Sequence, residues 1–383
     1  MTPGARLAAA IEVLDRVLAG APAEQALLRW SRASRFAGSG DRAAVRDLVF
    51  DALRQRDSLA ALGGALSGRG LVLGTLRALG EDPARLFTGE GHAPAPLSEA
   101  ERAATAPCIL PDDLPDWLRP LWQASLGPAA AEVAHAMRAR APVWLRVNIA
   151  RGAPDAAAAA LAAEGIATEV SPLLPSALRV TEGERRLSRS VAYRDGLVEL
   201  QDLSAQLASA VPTLSPGARV LDYCAGGGGK SLALAAREPA ARIFAHDALA
   251  QRMADLPARA ARAGAAIQLM PRPKGAFELV VTDVPCSGSG TWRRNPDAKW
   301  RLTPAALAEL LELQARILDA AAPRVAPGGH LAYMTCSVLA DENDRQIETF
   351  LHRIPGFALR DRRLWTPLEA SDGFFLALLQ RQP

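Results

Sequence analysis

Between residues 219 and 337 short apolar runs alternate with amphipathic stretches, and each run ends in polar or glycine-rich chain. Val220-Leu221 leads into Asp222-Tyr223, the run 242–245 into His246-Asp247, 278–282 into Asp283, and 330–335 into Cys336. Short, near-continuous apolar strands separated by helical patterns are what a parallel sheet covered on both faces requires. The helix before the last run is well marked. Thr303 suits its N-cap and Pro304 its first turn, Leu307, Leu310, Leu311 and Leu318 form its apolar face, and Pro327-Gly328-Gly329 stops it. The pattern predicts an α/β fold with a doubly wound, mostly parallel, Rossmann-like sheet. In such a sheet ligands bind where the strands end, at the topological switch point.

The rest of the chain divides by composition. Leu7, Ile11, Leu14 and Leu18 fall on one helix face, and Val45, Leu48, Val49 and Leu53 mark a second amphipathic stretch, so 1–87 reads as a helical domain. Its exposed candidates Arg29, Arg32, Arg35, Arg42 and Arg46 suit either a solvated helix face or a phosphate-contacting surface. A Gly/Ala/Pro-rich linker covers 88–106, a small α/β unit 107–200, and the doubly wound domain 201–383. Hydrophobic residues at 49% and charged residues at 22% fit a soluble globular protein rather than a disordered one. No apolar run approaches the ~18 residues of a membrane span. Glu12 and Asp15 interrupt the N-terminus too early for a signal-peptide core, so a cytoplasmic protein without membrane attachment is expected.

Cys108, Cys224, Cys286 and Cys336 form no CxxC pair, and His92, His135, His246, His330 and His352 show no metal-ligand spacing, so no metal site is expected. Lysine occurs only at 230, 274 and 299 among 44 lysines and arginines. A lysine that persists in so arginine-rich a chain hints that arginine would not serve there. Trp365, Phe374 and Phe375 read as core.

The first strand end continues as Asp222-Tyr223-Cys224-Ala225-Gly226-Gly227-Gly228-Gly229-Lys230-Ser231. A phosphate-binding GxxxxGK[ST] loop would need glycine at 224, and a GxGxxG fingerprint from Gly226 would need glycine at 231; both fail by one residue. Asp247 lies about twenty residues on, where a carboxylate can accept both hydroxyls of a ribose, although a plain helix cap is the simpler alternative. The two strand ends together suit an adenosine-containing ligand without a pyrophosphate, which S-adenosylmethionine satisfies. The third strand end is Asp283-Val284-Pro285-Cys286-Ser287-Gly288-Ser289-Gly290 and the fourth Thr335-Cys336-Ser337, which puts two cysteines on the same edge.

These segments, with 201–206, Arg293 to Trp300 and Asp372-Gly373-Phe374-Phe375, resemble the Sun/Fmu (Nop/Sun) family of RNA cytosine-5 methyltransferases, in particular its bacterial branch acting on 16S ribosomal RNA. The resemblance is specific over about 107–383. The helical domain looks like the NusB-type RNA-binding domain of some members. What the resemblance implies is a monomeric, S-adenosylmethionine-dependent methyltransferase whose partner is ribosomal RNA, with an RNA-binding subdomain over 107–200. Carbon 5 of cytosine is a poor nucleophile until a thiolate adds to carbon 6, which is why such enzymes need an ionisable cysteine. The resemblance implies Cys336 as that nucleophile and Cys286 as the residue that helps the covalent intermediate break down. It implies Asp283 against the cytosine edge and the cofactor, and Lys230 at the floor of the site. The backbone of Cys224, Ala225, Gly226, Gly227, Gly228, Gly229 and Lys230, with Asp247, would hold the cofactor. Arg293, Arg294 and Lys299 would contact RNA or brace the site; a surface basic cluster is the alternative.

Two departures stand out. Gly227 replaces a proline usual in the family, so the loop should be more flexible unless packing restrains it. A carboxylate usual near the adenine is missing, with Pro273 opposite its place. The sequence leaves open the same chemistry on transfer RNA. It also leaves open a catalytically weak RNA-binding or ribosome-assembly protein, to which the missing carboxylate would point.

Overall fold

The computed structural model describes residues 1–105 and 107–383; Ala106, the last residue of the expected linker, lies outside the described residues. The chain forms two compact units. The first comprises Met1–Gln123, Gly127–Arg140 and Trp292–Leu302, and the second Ala124–Leu126, Ala141–Thr291 and Thr303–Pro383.

The first unit is helical. Its helices Pro3–Leu18, Ala23–Ala33, Ser39–Arg54, Arg56–Gly63 and Gly68–Ala78 bury one apolar stripe each. Leu7 and Leu14 are buried as their spacing predicts, with Ile11 and Leu18 packed partly against them, and Val45, Val49 and Leu53 come from the second stretch. Each such side chain contributes about 1.5–3 kcal/mol by leaving water. The segment Trp292–Leu302, which sequence position places in the last domain, belongs here instead. Trp292 stacks on Trp122 with centroids 6.0 Å apart, and Trp300 Nε1 donates to the Leu53 carbonyl at 2.7 Å. The residues 107–123 and 127–140 also group with this unit, so the small sheet that follows is confined to 143–200.

The second unit contains two sheets among the described residues. The strands of the first are β1 (Val143–Val147), β2 (Ala167–Val170), β3 (Ala177–Glu182) and β4 (Val198–Leu200), antiparallel in the order β2-β3-β1-β4. The helix Pro154–Ala163 packs on it through Ala157 and Leu161. The second sheet is built from β5 (Arg219–Asp222), β6 (Arg242–Ala245), β7 (Ile267–Leu269), β8 (Phe277–Asp283), β9 (Val325–Thr335), β10 (Phe357–Trp365) and β11 (Phe374–Arg381). Its order is β10-β11-β9-β8-β5-β6-β7, parallel from β9 through β7, with β11 antiparallel between β9 and β10.

The doubly wound, mostly parallel sheet is therefore present. Val220, Leu221, Val280, Val281, Leu331 and Tyr333 are all fully buried, which is why these strands read as unbroken apolar runs. The chain runs outward from β5 to β7, then returns to β8 on the other side of β5. The switch point lies between β5 and β8, with Asp222 and Asp283 at their ends. Phe374 and Phe375 are core residues, 4% and 1% exposed. Among the described residues no single helix is long and apolar enough to cross a membrane, and no cluster of His, Cys, Asp or Glu could hold a metal.

Candidate active site

The end of β5 turns sharply because two glycines adopt left-handed backbone: Gly226 at φ 51° and Gly228 at φ 79°. A Cβ on Gly228 would stand 2.1 Å from Leu256 Cδ1, so only glycine fits there. Gly228 then opens the helix Gly229–Arg237, which carries Lys230 on its first turn. The neighbouring strand end supplies Asp247, 6% exposed, whose two carboxylate oxygens accept Leu249 N–H at 2.9 Å and Gly226 N–H at 3.0 Å. One donor on each oxygen leaves lone pairs for a diol. Asp247 thus caps the turn and keeps its capacity for a ribose. Asp222 is buried beneath the loop; Oδ2 accepts from Ser231, while Oδ1 has no hydrogen-bond partner. Burial pushes its carboxyl up to about 6. A shaped glycine turn, a carboxylate with spare lone pairs and an orphaned acceptor fit the expected S-adenosylmethionine. Cys224 lies in the same turn, but burial and then the carboxylates of Asp222, Asp283 and Asp247 push its thiol up, so it stays neutral.

Gly227 is held, despite the missing proline, by a residue the sequence reading did not single out. Arg259 Nη1 donates to the Gly227 carbonyl and occupies the space of a Cβ, which would stand 2.7 Å from it. The same guanidinium is anchored 3.3 Å from Glu199 of β4, which also pairs with Arg262 at 2.8 Å. A hydrogen bond to a charged group contributes about 1.5–3 kcal/mol. Arg259→Ala is therefore expected to weaken S-adenosylmethionine binding about tenfold by calorimetry. Adding Gly227→Pro to that variant should restore affinity to within about threefold, because proline stiffens the loop where the guanidinium no longer stands. Equal affinities for wild type and Arg259→Ala would remove the argument.

At the switch point Lys230 Nζ forms an ion pair with Asp283 Oδ2 and lies 4.9 Å from the Phe374 ring centroid. Burial pulls the ammonium down, but Asp283 outweighs it and holds Lys230 above its ordinary value. The cysteines meet beside this pair: Cys286 Sγ and Cys336 Sγ are 3.4 Å apart. The hydrogen bond between the two sulfurs, helped by the Lys230 ammonium and the Thr291 hydroxyl, lowers the Cys336 thiol against burial and the Asp283 carboxylate. The same bond, with burial, raises Cys286 well above the usual range. The negative charge thus favours Cys336 and the proton Cys286.

The loops carrying the cysteines are tied together by polar groups. Gly290 N–H donates to the Cys336 carbonyl at 2.9 Å, and Gly373 N–H to the Gly290 carbonyl at 2.8 Å. A Cβ on Gly290 would fall 2.1 Å from Gly373 O, which accounts for both glycines. Asn343 brackets Cys336, accepting from Thr335 Oγ1 at 2.6 Å and donating to Ser337 O at 2.9 Å. Glu342 is fully buried and accepts from Ser287 N, Ser287 Oγ, Ser337 Oγ and Gln314 Nε2. Nothing in the sequence marks Glu342, Asn343 or Gln314, because their partners lie on distant segments.

Lys230, Asp283, Cys286, Cys336, Asp247 and the glycine turn are thus gathered in the second unit. Arg293 and Lys299 belong to the first unit and are buried within it, 6% and 3% exposed, rather than lying on its surface. The Arg293 carbonyl accepts from Arg54 Nε at 2.6 Å, and Lys299 Nζ donates to the Arg54 carbonyl at 3.2 Å. Arg294 alone of the three is exposed. Burial lowers the Lys299 ammonium to about 8 from 10.5. Between these values the unfolded chain holds a proton that the folded chain has released, so this group makes stability rise with pH across the window and fall as pH drops through 8. The amplitude is at most about 3 kcal/mol. Urea unfolding at pH 7.5 and 10 should show this slope in wild type and its loss in Lys299→Met.

Comparison with known proteins places this geometry. Residues 211–380 match the family model described as 16S rRNA methyltransferase RsmB/F, and 114–185 match the RsmF/B-like ferredoxin-like domain. The ribosomal RNA small subunit methyltransferase B of Xanthomonas campestris pv. campestris is 35% identical over 288 residues, and that of Salmonella arizonae 34% over 284. Each alignment covers 69% of this chain, and the chain spans 66% of each relative's length, just under two thirds. The crystal structure of PH0851 superposes with a TM-score of 0.76 at 22% identity, covering 100% of this chain and 99% of that one. A methyltransferase homologue from Pyrococcus horikoshii gives 0.61 at 22% identity, over 68% and 93% of the two chains. At this identity the structures speak for the fold alone, and they agree with the sheet described above. Sequence and fold together lead to one conclusion: over 114–185 and 211–380 the chain is similar to the two domains of the RsmB/F methyltransferase family.

Proposed function

We propose that the protein transfers a methyl group from S-adenosylmethionine to carbon 5 of a cytosine in 16S ribosomal RNA, through a covalent bond between Cys336 and carbon 6. The observation that carries this reading is the cysteine pair, 3.4 Å apart beside the Lys230–Asp283 ion pair at the switch point. A cysteine held toward the thiolate next to a protonated thiol and an ammonium is suited to nucleophilic addition. Asp283 accepts from the cytosine amino group and from N3 as that nitrogen takes up a proton from solvent, so the π-electron pair of the C5–C6 bond moves through C4 toward N3 when the sulfur adds. Carbon 5 becomes enamine-like as the sulfur–C6 bond forms. When bound, S-adenosylmethionine supplies the methyl group that carbon 5 takes. The carbon 5 proton then leaves to solvent water, the double bond reforms as Cys336 departs as thiolate, and N3 returns its proton to solvent. Cys286 stabilises that leaving sulfur through the hydrogen bond it already makes. The target base is reached only when unstacked.

Exposed Arg294 and the exposed arginines 29, 32, 35, 42 and 46 supply the phosphate-contacting charge in this reading. The missing carboxylate near Pro273 speaks for a weak or inactive enzyme, but the complete Cys286, Cys336, Lys230 and Asp283 set speaks for an active one. The test is transfer of tritium from labelled S-adenosylmethionine to unmodified 16S ribosomal RNA, followed by nucleoside chromatography. Label in 5-methylcytidine supports the proposal. Label in another nucleoside, in transfer RNA alone, or in none overturns it.

A further inference from the structure

We propose that Glu342 is a positioning residue that joins the two cysteine loops through one buried carboxylate and thereby keeps Cys286 as hydrogen-bond donor to Cys336. The inference rests on the roles given to these cysteines above and extends them. Glu342 is 0% exposed and lies in the turn between β9 and the helix Asp344–Arg353. Four donors converge on it. Oε1 takes Ser287 N–H at 2.8 Å and Gln314 Nε2 at 3.0 Å, and Oε2 takes the hydroxyls of Ser287 and Ser337, each at 2.5 Å. Ser287 follows Cys286 and Ser337 follows Cys336, so a single group holds the residue next to each sulfur. Gln314 closes a second link by donating to the Pro285 carbonyl at 3.0 Å, one residue before Cys286.

The placement of charge is unequal as well. Among the described residues no Lys, Arg or His pairs with Glu342, so its charge is met only by hydrogen-bond dipoles. Its field adds to those that keep the proton on Cys286. The ammonium of Lys230 acts on Cys336 with the opposite sign. Asp283, Asp222 and Tyr333 are the remaining titratable groups packed around the pair. Glu342 and Lys230, opposite in charge, are the buried ions whose fields act on the two sulfurs. Tyr333 Oη donates to the Glu342 carbonyl at 2.6 Å and fixes the turn from below.

The test is competitive alkylation of the folded protein, without RNA, by limiting iodoacetamide between pH 6 and 10, with both cysteine peptides quantified by mass spectrometry. Wild type should react at Cys336 first. Glu342→Gln keeps the shape and removes the charge. It should lower the Cys336:Cys286 labelling ratio at pH 7.5 about tenfold and move the Cys336 profile about one unit toward higher pH. Its kcat should fall by a similar factor with the KM for S-adenosylmethionine within about twofold, a split that general loosening of the fold would not give. Ser287→Ala removes one donor to the same oxygen, should shift the ratio in the same direction by less, and serves where Glu342→Gln does not fold. An unchanged ratio in the folded variants overturns the positioning role alone. Preferential labelling of Cys286 in wild type overturns instead the roles on which the inference rests.

Discussion

Cys336→Ala will lose methyl transfer by at least about 10⁴-fold in kcat and will form no covalent complex with RNA. In the proposed reaction the loss is large because the thiolate does more than bind: without a bond at carbon 6, carbon 5 has no electron pair to offer. S-adenosylmethionine binding should be unchanged, since Cys336 ends β9 while the glycine turn and Asp247 follow β5 and β6. Cys286→Ala should behave differently. It removes the hydrogen bond that stabilises the departing sulfur, so turnover should fall about 10²–10⁴-fold while the adduct accumulates. A Cys336→Ala variant that still methylates RNA would end this account of the site.

Lys230→Met should have the second largest effect. Its ammonium is the cation that both neutralises Asp283 and favours the Cys336 thiolate. Removing it from a partly enclosed site should cost about 10²–10³-fold in kcat/KM at neutral pH. The pH profile identifies the cause. The proposed nucleophile works deprotonated, and in wild type the Cys336 thiol lies below its usual value. Activity therefore rises with pH early in wild type and later in Lys230→Met, with the acid limb displaced upward by about one unit or more. Part of the loss should then be recovered at alkaline pH. A profile displaced downward, or a loss independent of pH, would contradict the role given to Lys230.

The sheet and its polar strand ends were legible in the sequence because a parallel strand buried on both faces leaves an unbroken apolar run, and the chemistry sits where that run stops. Asp222, Asp247, Asp283 and Cys336 follow such stops. The glycine turn was legible because left-handed backbone at Gly226 and Gly228 demands glycine. The supports were not. Glu342 reaches Ser287 across 55 residues and Gln314 across 28, and serine, glutamine and glutamate are ordinary surface types. Only three-dimensional proximity reveals a fully buried carboxylate there. Arg259 was hidden for the same reason: one arginine among many, 32 residues from the carbonyl it holds.

In the segment Arg293 to Trp300 the structure sets aside the alternative of a surface basic cluster for Arg293 and Lys299. Lysine and arginine are seldom buried, so a basic cluster reads as surface, yet Lys299 finds the Arg54 carbonyl and the Trp300 ring inside the helical unit. The scarcity of lysine was the better guide. Lys230 and Lys299 both occupy enclosed positions with a single acceptor, where a compact ammonium fits and a forked guanidinium would need more partners. Lys274, the third, is exposed. The last helices before the small sheet, up to Ala136, lie inside the 114–185 match to the ferredoxin-like domain, while by contact most of their residues group with the first unit.

The most direct test of the central claim is to map the covalent adduct. Cys286→Ala would be incubated with S-adenosylmethionine and unmodified 16S ribosomal RNA, denatured, digested with nuclease and protease, and the peptides analysed by mass spectrometry. The account predicts a methylated cytidine nucleotide on the peptide containing Cys336. A nucleotide on any other residue, or no adduct while methyl transfer proceeds, would contradict it.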